Sequence, residues 1–162
     1  MTEQQYNQAV NLYADNVFRF IVKNLKHEES ARDIVQTAFE KMWMNRDTVE
    51  NEKCKSYLFT VAYNQMIDHI RKNKRIRLTD NFSETSMGVT NYTSKNVKET
   101  IQKALDRLSE TQRSLVMLKD YEGYSYDEIG KITGLNESQV KVYLHRARLA
   151  IRNYLVNAEN VM

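Results

Sequence analysis

Tyr126-Asp127-Glu128-Ile129-Gly130-Lys131-Ile132-Thr133-Gly134-Leu135-Asn136-Glu137-Ser138-Gln139-Val140-Lys141-Val142-Tyr143 reads as a short helix, a break and the start of a longer helix. Ser125 followed by Glu128 is a capping pair that opens the first helix, and Asn136 with Gln139 opens the second. Ile129, Leu135 and Val140 supply an apolar inner side; Gly130 is small where two helices would cross, and Gly134 sits at the turn. A helix-turn-helix needs this order, although any helical hairpin shares the spacing.

Working outward toward the C-terminus, the last helix runs to about Asn157. At about 100° per residue, Val140, Leu144, Ala147, Ile151 and Leu155 fall on one inward stripe. Lys141, His145, Arg148 and Arg152 form a stripe beside it, and Ser138, Gln139, Val142 and Arg146 point further outward. From Ser138 to Ala158 there is no acid against four basic residues. Solvated helix faces usually mix charge signs. An unmixed basic face next to a helix-turn-helix favours phosphate contact, with the helix N-terminus in a major groove.

Toward the N-terminus, Ser109 with Gln112 opens a helix carrying Leu115, Val116 and Leu118, and Asn96 with Glu99 opens another carrying Ile101, Ala104, Leu105 and Leu108. Between Thr79 and Ser94 no helical stripe survives, and residues 76–95 read as a flexible linker. A structureless stretch of that length argues for two domains, 5–75 and 96–158.

The N-terminal block is also helical. A short helix within Gln5–Asn16 precedes apolar spacing at Val17, Phe18, Ile21 and Leu25; Ser30 with Asp33 predicts the start of a second helix. A third runs from Lys55 to about Arg75 with Phe59, Ala62, Tyr63, Met66, Ile67 and Ile70 inside. Its opposite side carries Tyr57, Val61, Asn64, Asp68, Arg71, Lys72 and Arg75. An aromatic, an amide and cations in one row suit single-stranded nucleic acid: rings stack on bases, amides bond base edges, cations follow the backbone. Arg71, Lys72, Lys74, Arg75 and Arg77 place five positive charges within seven residues. A solvated face with an Asp68–Arg71 or Asp68–Lys72 pair is the plainer reading. On the second helix, Phe39 and Trp43 beside Asp33, Gln36 and Glu40 fit either core packing or a protein-binding surface.

Composition sets outer limits. The 162 residues hold 24 Lys plus Arg against 21 Asp plus Glu, so net charge of +3 by itself indicates no nucleic-acid partner. Proline is absent and glycine occurs four times, which favours an all-α protein. The single cysteine, Cys54, excludes an internal disulfide and a Cys-based zinc cage. No apolar run approaches the roughly 20 residues of a membrane span, and no signal-peptide core is present, so a cytoplasmic setting is expected. His27, His69 and His145 have no nucleophile or metal partner at recognisable spacing, and there is no Gly-rich phosphate loop. Neither an enzyme, a cofactor nor a small-molecule substrate is expected.

These residues together resemble the bacterial RNA polymerase sigma factors of the sigma-70 family, in the extracytoplasmic-function (ECF) subfamily. Asp33-Ile34-Val35-Gln36, Ala38-Phe39 and Trp43 resemble the family segment that docks on the coiled coil of the polymerase β′ subunit. Ser56-Tyr57-Leu58 through Asn64, Asp68 and Arg71 resemble the segment that captures the −10 promoter element. Leu108-Ser109 through Gln112-Arg113, Tyr124 through Gly130, and Val140 through Arg148 resemble the −35-binding domain. Tyr57 and Ser109 stand where the family often has Trp and Pro, and Gln139, Val142 and Tyr143 depart from its recognition-helix pattern.

The resemblance implies a promoter-specificity subunit that recognises promoters, melts DNA and starts transcription. Ser138, Gln139, Lys141, Val142, His145, Arg146 and Arg148 would meet the −35 duplex. Tyr57 and Asn64 would meet unpaired −10 bases, with Arg71, Lys72, Lys74 and Arg75 on phosphates. Asp33, Gln36, Phe39 and Trp43 would hold the polymerase. Implied partners are core RNA polymerase (β′ coiled coil and β subunit), promoter DNA and an anti-sigma factor. The linker would pass near the RNA exit path, joining domains with little mutual contact. The competing reading is a dimeric helix-turn-helix regulator of duplex DNA, which leaves the N-terminal polar face unused.

Overall fold

A computed structural model describes residues 1–80 and 97–161, with side chains described through 75 and over 97–157. Among the described residues every regular element is helical: α1 Glu3–Leu25, α2 Glu28–Met44, α3 Cys54–Asp80, α4 Val97–Asp106, α5 Glu110–Val116, α6 Tyr126–Thr133 and α7 Glu137–Val161. A 3-10 turn, Asn51–Lys53, leads into α3, and a π-helical turn, Met117–Tyr121, follows α5. The all-α class expected from the sequence is the class observed.

The first helix is one element, not a short helix followed by another. Thr2 and Gln5 form its capping box, each backbone N–H donating to the other's side-chain oxygen at 2.9 and 3.1 Å. No glycine or proline interrupts the next 23 residues, so a single rod buries Ala9, Val17, Phe20, Ile21 and Asn24. It ends at Lys26, whose left-handed backbone (φ 57°) lets its N–H bond Val22 O at 2.7 Å. That turn moves the α2 cap forward of the expected Ser30. His27 Nδ1 accepts from Ser30 N at 3.1 Å, and Ser30 itself lies in the first turn.

The α3 helix also outruns its expected end. It continues through residues 76–80, past the expected linker start at residue 76. Lys, Arg and Leu are good helix formers, and no glycine or proline lies between Cys54 and Asp80. Residues 81–95 of the expected linker, and the Asn96 cap, lie outside the described residues.

In the C-terminal half, the capping boxes at Ser109–Gln112 and Ser125–Glu128 form as the sequence predicts. A buried arginine closes the α4–α5 corner. The Arg113 guanidinium donates to the carbonyls of Leu105 (2.9 Å), Leu108 (2.9 Å) and Asp106 (3.3 Å), and to Asn24 O of α1 (3.1 Å). A cation suits this place because helix C-termini expose unpaired carbonyls and carry partial negative charge.

That last bond crosses between the two halves, and many others do too. The family resemblance implies domains with little mutual contact; the structure packs them on a shared core. Phe20, Phe59 and Tyr124 stack edge to face at 5.4 and 5.7 Å, joining α1, α3 and the turn before α6. Asn24, buried, donates to Phe20 O (2.8 Å), lies 3.5 Å from Met117 Sδ, and accepts from Ser114 Oγ at 3.4 Å. Around this centre the charges segregate by half. Arg19 and Lys55 face Glu122 (3.8 and 3.6 Å), Lys26 faces Asp106 (3.0 Å) and Lys74 faces Glu110 (4.0 Å). In these pairs the cations come from the N-terminal half and the carboxylates from the C-terminal half.

Candidate nucleic-acid interface

The helix-turn-helix takes its geometry from two glycines. Gly134 ends α6 in the left-handed region (φ 80°), and its N–H bonds Gly130 O at 2.8 Å. At Gly130 a Cβ would stand 2.7 Å from Leu135 O, so the close approach is to the backbone of the turn. The next helix, α7, is anchored by Val140, Leu144 and Ala147, all buried. Outward from that stripe, Ser138, Gln139, Lys141, Val142, His145, Arg146 and Arg148 are all exposed. All seven residues of the expected duplex-facing set are therefore accessible.

Three of those side chains are already engaged. Gln139 Oε1 accepts from Asn136 N at 3.0 Å, returning the cap that Asn136 Oδ1 gives to Gln139 N at 2.8 Å. Lys141 lies 3.5 Å from Glu137, one turn back. Arg148 Nη2 donates to Asp120 Oδ1 at 2.8 Å. Asp120 stands 28 residues away, and periodicity carries no signal for it.

The second face lies on α3. Leu58, Phe59, Ala62, Tyr63 and Met66 are buried, while Asn64, Arg71, Lys72, Lys74 and Arg75 are exposed. Tyr57 is half-buried; its hydroxyl accepts from Asn45 Nδ2 at 3.2 Å and donates to Lys41 O at 3.4 Å. These bonds hold the ring at the junction of α2 and α3, at the head of the basic row. Packing of the C-terminal half on α3 runs through Lys55 and Phe59, with Tyr63 buried beside them. Of the polar row, Asn64, Arg71, Lys72 and Arg75 are exposed, while Lys74 faces Glu110 of the C-terminal half at 4.0 Å.

The α2 surface divides. Asp33 and Gln36 are exposed, with Gln36 Nε2 donating to Glu40 Oε1 at 3.1 Å. Phe39 is buried at 8% exposure beneath Tyr6, whose hydroxyl donates to Phe39 O at 3.1 Å. Trp43 is half-buried between Tyr6 (4.9 Å) and the Arg46 guanidinium (4.2 Å), on a shallow cleft also lined by Glu3, Asn7, Glu40 and Met44. Asp33, Gln36 and Trp43 remain reachable; Phe39 supports that surface from within.

Among the described residues no group of three or more His, Cys, Asp or Glu side chains is placed to hold a metal ion. Cys54 is buried, and burial pushes its thiol pKa up, which makes it a poor nucleophile. Among the described residues no helix is long and apolar enough to cross a membrane.

Two family models match the chain, sigma-70 region 2 over residues 9–76 and sigma-70 region 4 over residues 98–151. The first covers α3 as far as residue 76, with its basic row, and the second covers the helix-turn-helix. The chain belongs to the sigma-70 family, in its ECF branch. It is 30% identical to the RNA polymerase sigma factor SigV of Bacillus subtilis, over 91% of this chain and 89% of that protein. It is 29% identical to the ECF RNA polymerase sigma factor SigW of the same species, over 94% and 90%. Among solved structures it is similar to the sigma factor RpoE of Bartonella quintana in complex with the anti-sigma factor NepR. There the TM-score is 0.76 and identity 26%, covering 93% of this chain and 96% of that one.

Sigma factors direct transcription initiation, and this chain carries both sigma regions. A dimeric regulator would explain region 4 and leave region 2 without a role, so that reading is not favoured.

Proposed function

We propose that this ECF sigma factor divides promoter recognition between α7 and α3 while α2 holds core RNA polymerase. The α7 face, Ser138, Gln139, Lys141, Val142, His145, Arg146 and Arg148, binds the −35 element as duplex. The α3 row takes the −10 non-template strand once it is unpaired: Tyr57 and Asn64 meet bases, and Arg71, Lys72, Lys74 and Arg75 meet phosphates. Asp33, Gln36 and Trp43 contact the polymerase, with Phe39 packing beneath them. Unstacking DNA costs a few kcal/mol per step, so a surface that binds only the opened strand shifts the equilibrium toward melting. The observation that carries this reading is two separate basic faces, both exposed, on one chain that matches both sigma regions.

The reading has a geometric consequence. The two promoter elements are about 25 base pairs apart, or about 85 Å along B-form DNA at ~3.4 Å per pair. A compact chain of 162 residues has a radius of gyration of roughly 15 Å. The packed halves must part to reach both elements. The structure of RpoE with NepR supports a partner of the same class, an anti-sigma factor, for this chain.

Reconstitution tests the proposal: the purified chain is added to core RNA polymerase, and promoter-specific initiation is expected. Tyr57→Ala with Asn64→Ala should lower −10 strand capture while polymerase binding stays intact. Unaltered open-complex formation in that variant would remove the α3 row from the mechanism.

A further inference from the structure

Around the start of α6 and the middle of α7 the structure gathers a charged cluster that the periodicity of α7 does not reveal. Tyr126, the first residue of α6, has Lys119 Nζ at 4.7 Å and Lys141 Nζ at 5.6 Å from its ring centroid. Arg148 interacts electrostatically with the Tyr126 side chain and donates from its guanidinium to Asp120 Oδ1 at 2.8 Å. Three cations thus gather about the Tyr126 side chain; Lys141 also faces Glu137 at 3.5 Å, and Arg148 is the one paired with Asp120. Lys141 and Arg148 lie on the same stripe of α7.

A carboxylate and a phosphate take the same guanidinium donors. From this we infer that Asp120 is an internal stand-in for a DNA phosphate, holding Arg148 in the free protein and competing with duplex for it. The inference rests on the reading that α7 meets the −35 duplex. Asp120 is not an interior strut. Its side chain is 42% exposed and that of Arg148 is 46% exposed, and ion pairs this open contribute little to stability. Both are accessible enough to exchange partners when DNA arrives. The displaced carboxylate then lies beside a phosphate of like charge, so Asp120 lowers the affinity for duplex and the number of cations released on binding.

The test uses the full chain and a labelled 30-base-pair duplex of arbitrary sequence, because backbone contacts are independent of sequence. Affinity is measured from about 50 to 200 mM salt. Asp120→Asn should bind about two- to fivefold more tightly at low salt. Its log–log salt slope should steepen by up to about 0.9, the signature of one further phosphate contact. Asp120→Glu should behave like the parent chain. In an Arg148→Ala background, Asp120→Asn should change neither quantity. A gain of the same size in that background would show a general charge effect and overturn the inference. So would an unchanged or weaker affinity in Asp120→Asn while Arg148→Ala still weakens binding, an outcome that leaves the α7 reading standing. If Arg148→Ala alone alters neither affinity nor slope, α7 does not meet the backbone there, and reading and inference fail together.

Discussion

Tyr124 shows how a single side chain records the compromise between the halves. Its ring packs on Phe59 and under Lys55, 5.1 Å from the ammonium, but its hydroxyl is buried without a hydrogen-bond partner of normal geometry. An unsatisfied buried hydroxyl costs about 1–3 kcal/mol. Tyr124→Phe should therefore be neutral or stabilising by about 1 kcal/mol, where a bonded tyrosine would lose stability; thermal unfolding of the two proteins checks this. Burial raises the pKa of Tyr124, and of Tyr63, above the ordinary tyrosine value of 10.0. With the folded pKa above the unfolded one, their contribution is complete below about pH 10 and is lost as pH rises further. Tyr124→Phe removes one of these groups, so its stability should fall less steeply in alkali. The same scale explains Phe39. An aromatic next to acids on an amphipathic helix is consistent with a core or a docking residue, and only the placement of Tyr6 over it decides for the core.

At the scale of elements, the helix-turn-helix is the part most open to reading in advance. Its capping residues lie three positions apart and its glycines mark the turn, so every determinant is local. Gly130 and Gly134 nevertheless fail differently when substituted. Gly130→Ala puts a methyl group 2.7 Å from a backbone oxygen that cannot swing away, so the turn must shift. A loss of about 1–3 kcal/mol is expected, with weaker −35 duplex binding and unaltered −10 strand capture. Gly134→Ala meets no atom within 4 Å and pays only for its left-handed backbone, about 1–2 kcal/mol. A Gly130→Ala protein that keeps both its full stability and its −35 duplex binding would contradict this account. The α2 cap was less legible, since Ser30 and Asp33 have a familiar spacing. The left-handed turn at Lys26 puts His27 at the cap position instead.

At the scale of the molecule, the interface between the halves is apolar at its centre and charge-segregated around it. Glu122 is the most enclosed acid of the set, its side chain 3% exposed between Arg19 and Lys55. Glu122→Lys places a third cation there, and breaking an enclosed pair in this way costs about 3–5 kcal/mol. The halves should separate, seen in solution X-ray scattering as a radius of gyration well above the roughly 15 Å of a compact chain. Lys55→Glu added to that variant restores one pair of opposite charges and should draw the radius back. A Glu122→Lys protein that stays as compact as its parent would show that the apolar centre alone holds the closed form.

Helix periodicity, capping pairs and the two basic rows were readable in the chain because each depends on residues within about one turn of each other. The family followed from their order along the sequence. Folding alone determined which charges neutralise one another: Asp120 reaches Arg148 across 28 residues, and Glu122 finds Lys55 in the other half. It also buried Phe39, extended α3 past residue 75, and packed the halves together. A one-dimensional pattern sums charge and apolarity along the chain, whereas pairing and burial depend on distances through space. Those distances are set by how whole helices stack.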